Sequence, residues 1–506
     1  RAEEANPPQT GAVEFFDSSI GFLDLSLKDC MVISLKNNLD VEIARLDPLI
    51  EDKDISVEKA AFDPVFEALG EIRKADDPLN TIFITGSAPG ELSRDIKTVD
   101  TTVSMLTPIG ATVSVEYNFE RTFRSTRGGI FFNPAFTTFF EAKLTQPLLK
   151  EFGIFYTRSK IYMARNDRRK SLHAFKRTAV EVANDVKDAY WDLVGAIEGL
   201  KVAHKSLQRA QELLENNRLQ VRAGILAPID VVAAEAEVAS REEAIIIAEN
   251  EVGDREDTLK RLMNFLRSDG DPWLAEITIT PIDRPVFEVK HVDLNESIRI
   301  ALENRPELFE RKLELDNAHI EARRKKNELL PKLDLEGGVR YSGLDNSWND
   351  TTENALTANF QEEFAKLTLE VPIGLRKERA EYSKAKFERR KAQLELGKQE
   401  QDILVEVREA VRQVKTDAER VKSTRKSLKH AQDRLDAEEK KFAVGRSTNL
   451  EILRAQEDLV EAEVREIRAI MEYQRALGGL EAVKGTILEQ YDVVVEGQAL
   501  ENALIY

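Results

Sequence analysis

The chain has little of what most functional sites are built from. There is one cysteine, Cys30, in 506 residues, so an intrachain disulfide and a Cys-based zinc site are both excluded. Five histidines, His173, His204, His291, His319 and His430, lie far apart, with no two-His pair at i, i+4 to hold a metal or present a base. The glycines form no phosphate loop. No apolar run approaches 18 residues, so no helix is expected to span a bilayer. Positive charge is in deficit, with a net charge of −18, which argues against a nucleic-acid partner. No catalytic constellation emerges, and no enzyme activity, cofactor or metal is expected. The chain opens on Arg1-Ala2-Glu3-Glu4 without a charged-then-apolar leader. The expectation is either a cytosolic protein or one whose signal peptide has been removed.

What the chain has is repetition. Leu27 to Asn38 aligns with Leu294 to Arg305, and Ser206-Leu207-Gln208-Arg209-Ala210-Gln211 with Ser427-Leu428-Lys429-His430-Ala431-Gln432. Gly224 then falls on Gly445, Asp230 on Glu451, and Leu144 and Pro147 on Leu369 and Pro372. Blocks recurring in one order mean a duplicated unit. The division read from this is repeat 1 over 1–270, a linker over 271–292, repeat 2 over 293–486 and a tail over 487–506.

Within each repeat lies a heptad pattern. Leu193, Leu200, Leu207, Leu214 and Val221 are spaced by seven, with Ala196, Ala203 and Ala210 three residues after the leucines. Val414, Val421, Leu428, Leu435 and Phe442 repeat the large positions. An a/d seam of this kind also describes an ordinary coiled coil. From about 157 to 222 the pattern holds no proline, and as one helix it would be on the order of 100 Å long at about 1.5 Å per residue. Each long helix runs into a glycine turn, with tips near 221–230 and 443–451. Gly224 and Gly445 suit the left-handed residue that closes a helix, Pro228 the first turn of the next, and Ser447, Thr448 or Asn449 its cap. Each half therefore contains one long helical hairpin.

Strand-like alternation separates these helices. Phe140 to Thr145, Ala365 to Val371 and Leu333 to Tyr341 place apolar side chains on one face and polar ones on the other. They have the length of membrane-spanning strands, about 9–11 residues, although a half-buried soluble sheet alternates in the same way. Phe131 to Tyr162 holds nine aromatics, as an interfacial girdle would. Two hairpins cannot close a barrel, and open edges are not tolerated in lipid, so several chains would have to share one.

The duplicated set, in this order, resembles the TolC family of outer-membrane efflux proteins over nearly the whole chain. It comprises the opening helix with Ala301-Leu302-Glu303-Asn304-Arg305-Pro306-Glu307, a strand from Pro64 or Pro331, the strand ending Leu144-Thr145-Gln146-Pro147-Leu148-Leu149, the heptad helix and the glycine turn. The resemblance implies a mainly α fold with β: a helical coiled-coil barrel joined to a transmembrane β-barrel. It implies a homotrimer with four strands per chain in a 12-stranded barrel. It also implies an exit duct in the outer membrane, extending into the periplasm, passive and energised by an inner-membrane pump of RND or ABC type. That duct would serve multidrug efflux or type I secretion. A coiled-coil structural protein without channel activity is the alternative. The implied partners are outer-membrane lipid and a periplasmic adaptor docking on Val221, Arg222, Gly224, Ile225 and Leu226, and on Val444, Gly445, Arg446, Ser447 and Thr448. Asp230, Glu451 and Arg454 stand at the family's gate positions. Arg454 puts a double acidic ring in doubt, and Arg446 is displaced by one from the family's gating arginine. Helix-start charge explains Glu451 as well as a gating role does, and explains Asp230 better.

The first hairpin is oversized. Pro64 to Pro147 spans 83 positions and Pro331 to Pro372 spans 41, the second hairpin running over 331–373. The extra residues, about 74–134, include the alternating Thr112 to Phe119. They are expected to enlarge an extracellular loop, with an added strand pair as the alternative. The linker and the tail after Gly485 are expected, by analogy with the family, to form a belt around the helices.

Overall fold

The computed structural model describes residues 21–79, 90–125, 131–266, 276–358 and 360–491. The chain divides into two compact units. One comprises Arg1–Asp47, Leu172–Phe309 and Lys398–Tyr506; the other comprises Pro48–Ser171 and Glu310–Gly397.

The elements follow the duplication. Repeat 1 opens with β1 (Phe22–Leu25), α1 (Leu27–Asn37) and α2 (Leu39–Lys59), continues through four strands, β2 (Val65–Leu79), β3 (Gly90–Leu106), β4 (Thr112–Arg124) and β5 (Ala135–Pro147), and ends in α3 (Ile154–Arg222) and α4 (Pro228–Leu262). After β6 (Thr278–Pro281), repeat 2 runs α5 (Leu294–Asn304), α6 (Pro306–Asn327), β7 (Lys332–Asp345), α7 (Trp348–Leu356), β8 (Phe360–Glu370), α8 (Arg376–Ala443), α9 (Asn449–Lys484) and α10 (Ile487–Gln490). The heptad stretches are uninterrupted helices of 69 and 68 residues.

In the helical unit the core gathers where α1, α3, α4 and α9 meet β1 and β6. Cys30, Met31, Ala179, Ala183, Val186, Tyr190, Leu193, Leu259, Met263 and Ile487 are buried there. Small residues at Ala179 and Ala183 let backbones approach, while Tyr190 and Met263 fill the wider gaps. A second cluster of Leu213, Leu435, Ile452, Ala455 and Leu459 lies nearer the turns. Of the expected repeat-2 seam, Val414, Val421 and Leu435 are buried, while Leu428 and Phe442 are half-buried. In repeat 1 the deepest positions are Val202, Ser206, Ala210, Leu213 and Leu214, so the buried stripe drifts off Leu200 and Leu207, which are half-buried. A straight helix drifts this way against a strict seven-residue repeat.

The two repeats solve one problem with different residues. Asn38, at the α1–α2 junction, donates Nδ2 to Leu262 O at 2.9 Å and caps α2 by accepting from the Asp40 amide at 2.8 Å. Its counterpart Arg305 donates to Val483 O at 3.2 Å and forms a bidentate pair with Glu307. Both occupy carbonyls in the last turn of a return helix, where four lack partners within the helix.

The described part of the linker is held by local pairing and hydrogen bonds. β6 pairs in parallel with β1, and the extended stretch after it is tied to helices on either side. Tyr190 Oη donates to Asp283 Oδ2 at 3.0 Å and accepts from the Asp283 amide at 3.2 Å. Tyr473 Oη donates to Glu288 O at 2.7 Å, and Gln474 Nε2 to Val286 O at 2.5 Å. The linker's first residues, 271–275, and the tail beyond Tyr491 lie outside the described residues.

In the other unit, β2, β3, β4, β5, β7 and β8 form one antiparallel sheet in that order. This corrects both the loop reading and the count of four. The insert is a strand pair: β3 and β4 pair from Arg94 to Leu106 against Thr112 to Arg124, and the alternation of Thr112 to Phe119 is met by Val99, Val103 and Met105 on β3. Residues 80–89 and 126–130 of the insert lie outside the described residues.

Candidate functional site

The sheet has two chemically distinct faces. Strand side chains alternate with period two, and directly paired residues share a face. One face carries Phe66, Ala68 and Ile72 on β2, Val99, Val103 and Met105 on β3, and Val113, Val115, Tyr117 and Phe119 on β4. It continues through Phe136, Phe140, Ala142 and Leu144 on β5, Leu333, Leu335, Val339 and Tyr341 on β7, and Ala365, Leu367 and Leu369 on β8. Among the described residues nothing covers most of it: Phe66, Ile72, Leu367 and Leu369 are each more than 60% exposed. Asp95 and Lys97 on β3, Arg121 on β4, and Gln361 and Glu363 near the end of β8 are charged or polar exceptions on this face. From Leu333 to Gly343 this band covers about 34 Å of strand at roughly 3.4 Å per residue. At a barrel tilt near 45° that is about 25 Å of bilayer, the height of the apolar band on an outer-membrane barrel.

The opposite face is polar. A single transverse row reads Glu67, Thr102, Glu116, Glu141, Arg340 and Glu362 across the six strands. Like charges directly opposite one another repel. Arg340 relieves the row by donating Nε to Glu141 Oε2 at 2.7 Å while its guanidinium lies 4.5 Å over the Phe139 ring. Rows on either side add Asp100 with Asn118, and Glu336 with Lys366. Phe139, Phe360 and Phe364 are the aromatics on this face. The Phe364 ring crosses onto Gly338, where a Cβ would sit 2.8 Å from it, so the glycine at this pair makes room for the aromatic.

The helix α7 rests on the apolar face at the end away from the long helices. Thr351 and Ala355 turn into the sheet, with Thr351 Oγ1 donating to Phe136 O at 3.1 Å. Trp348 packs edge-on against Phe119 and donates Nε1 to Tyr117 Oη at 3.0 Å. Gly343 lies beneath; any Cβ there would enter the Thr351 carbonyl. An indole with one wet and one apolar side is the residue type favoured at a membrane interface.

In the helical unit, the two turns are Schellman motifs. Gly224 has φ 75° and Gly445 φ 69°. Ile225 N donates to Gln220 O at 2.9 Å and Arg446 N to Lys441 O at 2.8 Å, which closes each helix on its left-handed glycine. Ile225 and Val444 are about 70% exposed, Arg222 and Arg446 are exposed, and Val221 and Leu226 are half-buried. Ser447 is not the helix cap; its Oγ donates to Glu438 Oε2 at 2.7 Å, and Thr448 takes the cap position without a side-chain bond.

The two turns are brought side by side by residues that the sequence reading passed over. Asn217 donates Nδ2 to Asn449 Oδ1 at 2.9 Å, and Asn449 Nδ2 donates to Asp230 O at 3.2 Å. Both asparagines are buried. Their signal was available, because Asn217 continues the series Ala196, Ala203, Ala210 and puts a polar residue on the seam, the usual device for fixing register. Of the gate candidates, Glu451 pairs with Arg454 at 3.3 Å. Asp230 contributes its backbone carbonyl, and among the described residues neither Arg446 nor another cation pairs with its carboxylate.

Comparison with known proteins returns the same architecture. The family model described as "Outer membrane efflux protein" matches residues 112–264 and 297–486, one stretch in each repeat. No curated protein sequence matches. Among solved structures, the Campylobacter jejuni CmeC outer membrane channel is similar at TM-score 0.67 and 15% identity, covering 100% of this chain and 97% of that one. The open state of the Neisseria gonorrhoeae MtrE outer membrane channel is similar at 0.63 and 16%, covering 91% and 89%. The Vibrio cholerae outer membrane protein VceC is similar at 0.63 and 12%, covering 93% and 97%. At these identities the likeness is one of fold. With its two helical hairpins, its two-faced sheet and a family match reaching through both repeats, the chain belongs to the outer membrane efflux protein family.

Proposed function

We propose that the protein is the exit duct of a tripartite efflux pump or type I secretion system, working as a homotrimer. Three sheets close a barrel in the outer membrane, and the helical hairpins form the periplasmic conduit. The observation that carries this reading is the six-stranded sheet: among the described residues it is apolar and mostly uncovered on one face, charged on the other and unpaired at both edges. In water such a sheet would aggregate, and in lipid its edges must pair. The exposed tip residues Arg222, Ile225, Val444 and Arg446 offer an adaptor an apolar and cationic surface. Transport is passive here, with energy supplied by an inner-membrane pump. Asp230, Glu451 and Arg454 stand at the gate.

The test is purification from the outer membrane followed by planar-bilayer recording. A detergent-requiring trimer with stable conductance is expected, and loss of the gene should abolish export of its cargo. Recovery as a detergent-free soluble monomer or dimer overturns the proposal. So does a membrane trimer that conducts nothing.

A further inference from the structure

We propose that the barrel this protein builds has 18 strands, six from each of three copies, closed by pairing β2 of one copy with β8 of the next. The proposal deepens the duct reading and rests on it for the number of copies.

The first argument is that the added pair lies at bilayer depth. β3 is paired along residues 90–104 with β2 and along residues 94–106 with β4, so neither of its edges is free over residues 94–104. Transverse rows run unbroken through it: Phe66, Val103, Val115, Ala142 and Val339 share one row of the apolar face. The polar row from Glu67 to Glu362 crosses the same strands. If β2 and β3 hung outside a smaller barrel, Glu67, Glu71, Asp100 and Thr102 and a full strand edge would face hydrocarbon, where each unsatisfied backbone group costs several kcal/mol.

The second argument is that the two free edges suit each other. In this antiparallel order β8 runs opposite to β2, so a neighbouring copy continues the same alternation of direction. Both edge strands span the apolar band, β2 with 15 residues and β8 with 11. Both keep apolar side chains on the common face, Phe66, Ala68 and Ile72 against Ala365, Leu367 and Leu369. Pairing them leaves lipid meeting side chains all the way round and leaves no edge open. The occupant of each edge is therefore another copy of this chain.

The third element is a consequence. Barrel diameter grows roughly linearly with strand number, so 18 strands make a barrel about one and a half times as wide as 12. Barrels of 16–18 strands hold an aqueous channel rather than a packed interior. The outer-membrane segment is then a wide, water-filled passage, and any size selection resides elsewhere in the protein.

The experiment is a cryo-EM reconstruction of the full-length oligomer in nanodiscs, with strands counted in the bilayer section. Eighteen strands with a β2–β8 seam are expected. Cysteine cross-linking gives an independent reading, since the chain's own Cys30 is buried. Cysteines scanned over Ala68 and Gly70 on β2 against Ala365 and Leu367 on β8 should give covalent dimers and trimers on mild oxidation. Val115→Cys on β4 with the same β8 positions should not. Twelve strands, or cross-links from β4 in place of β2, overturn the proposal and leave the duct reading intact. A soluble protein with no barrel removes both.

Discussion

At the scale of single residues, two buried sites carry the clearest consequences. Lys187 is 1% exposed, and its ammonium is satisfied by Asn184 Oδ1 at 2.8 Å, Arg475 O at 2.9 Å and the Asp188 carboxylate at 3.2 Å. Its stem lies against Gly478, where an added Cβ would collide with Lys187 Cδ. Gly478→Ala should therefore destabilise by about 1–3 kcal/mol, as overpacking does. Lys187→Ala should restore much of that loss in the double variant, a coupling that thermal unfolding of all four proteins measures. Burial holds the Lys187 pKa below its free value of 10.5. Between the folded and free values the unfolded chain binds more protons, so stability rises with pH in that window. The difference in melting temperature between wild type and Lys187→Met should move in favour of wild type as pH is raised toward 10.5. At the turns, Asn449→Ala strands Asn217, whose Oδ1 already lacks a partner, and should cost about 1–3 kcal/mol. If this pair holds the tips together, the variant should leak in bilayer recordings. An unchanged closed-state current would count against that role.

At the scale of elements, the sequence was legible where one period ran long and illegible where tertiary partners decided. The heptads gave the first long helix nearly to the residue and the later turns of the second, whose start at Arg376 they left open, and Gly224 and Gly445 gave both turns. The drift of the buried stripe off Leu200 and Leu207 was not visible in the heptad spacing, because that spacing is silent on whether α3 is straight enough to wind against a strict seven-residue repeat. The asparagine clasp was legible only in Asn217's place on the seam, because its partner Asn449 lies 232 positions away; Ser447 bonds Glu438 nine positions back instead of capping α9. The insert was expected to enlarge a loop; Thr112 to Phe119 already alternated like a strand, but its partner β3 carries Asp95 and Lys97 on the same face as Val99 and Val103, which breaks the period in the sequence. Gly224→Val and Gly445→Val each force a branched residue into the left-handed region, at a cost of about 1–2 kcal/mol or more. Either should loosen adaptor capture in a pull-down more than it lowers oligomer stability. Equal losses in both would mean that the turns matter only for folding.

At the scale of the molecule, the chain grows by whole hairpins. Replacing residues 80–134 with a short turn removes β3 and β4 and lets β2 meet β5, which already run in opposite directions. Glu67 and Glu141 share one transverse row, so the faces also stay matched. That deletion should still yield a detergent-stable oligomer, with a narrower outer-membrane segment in a reconstruction. Removing β4 alone should abolish assembly, because every strand after it would enter the bilayer from the wrong side. An odd insertion would reverse the address of all that follows, sending α3 and α4 to the cell exterior. Evolution of such a pore is thereby quantised: its calibre can change only in steps of two strands per chain, multiplied by the number of copies, with no intermediate sizes open to gradual selection.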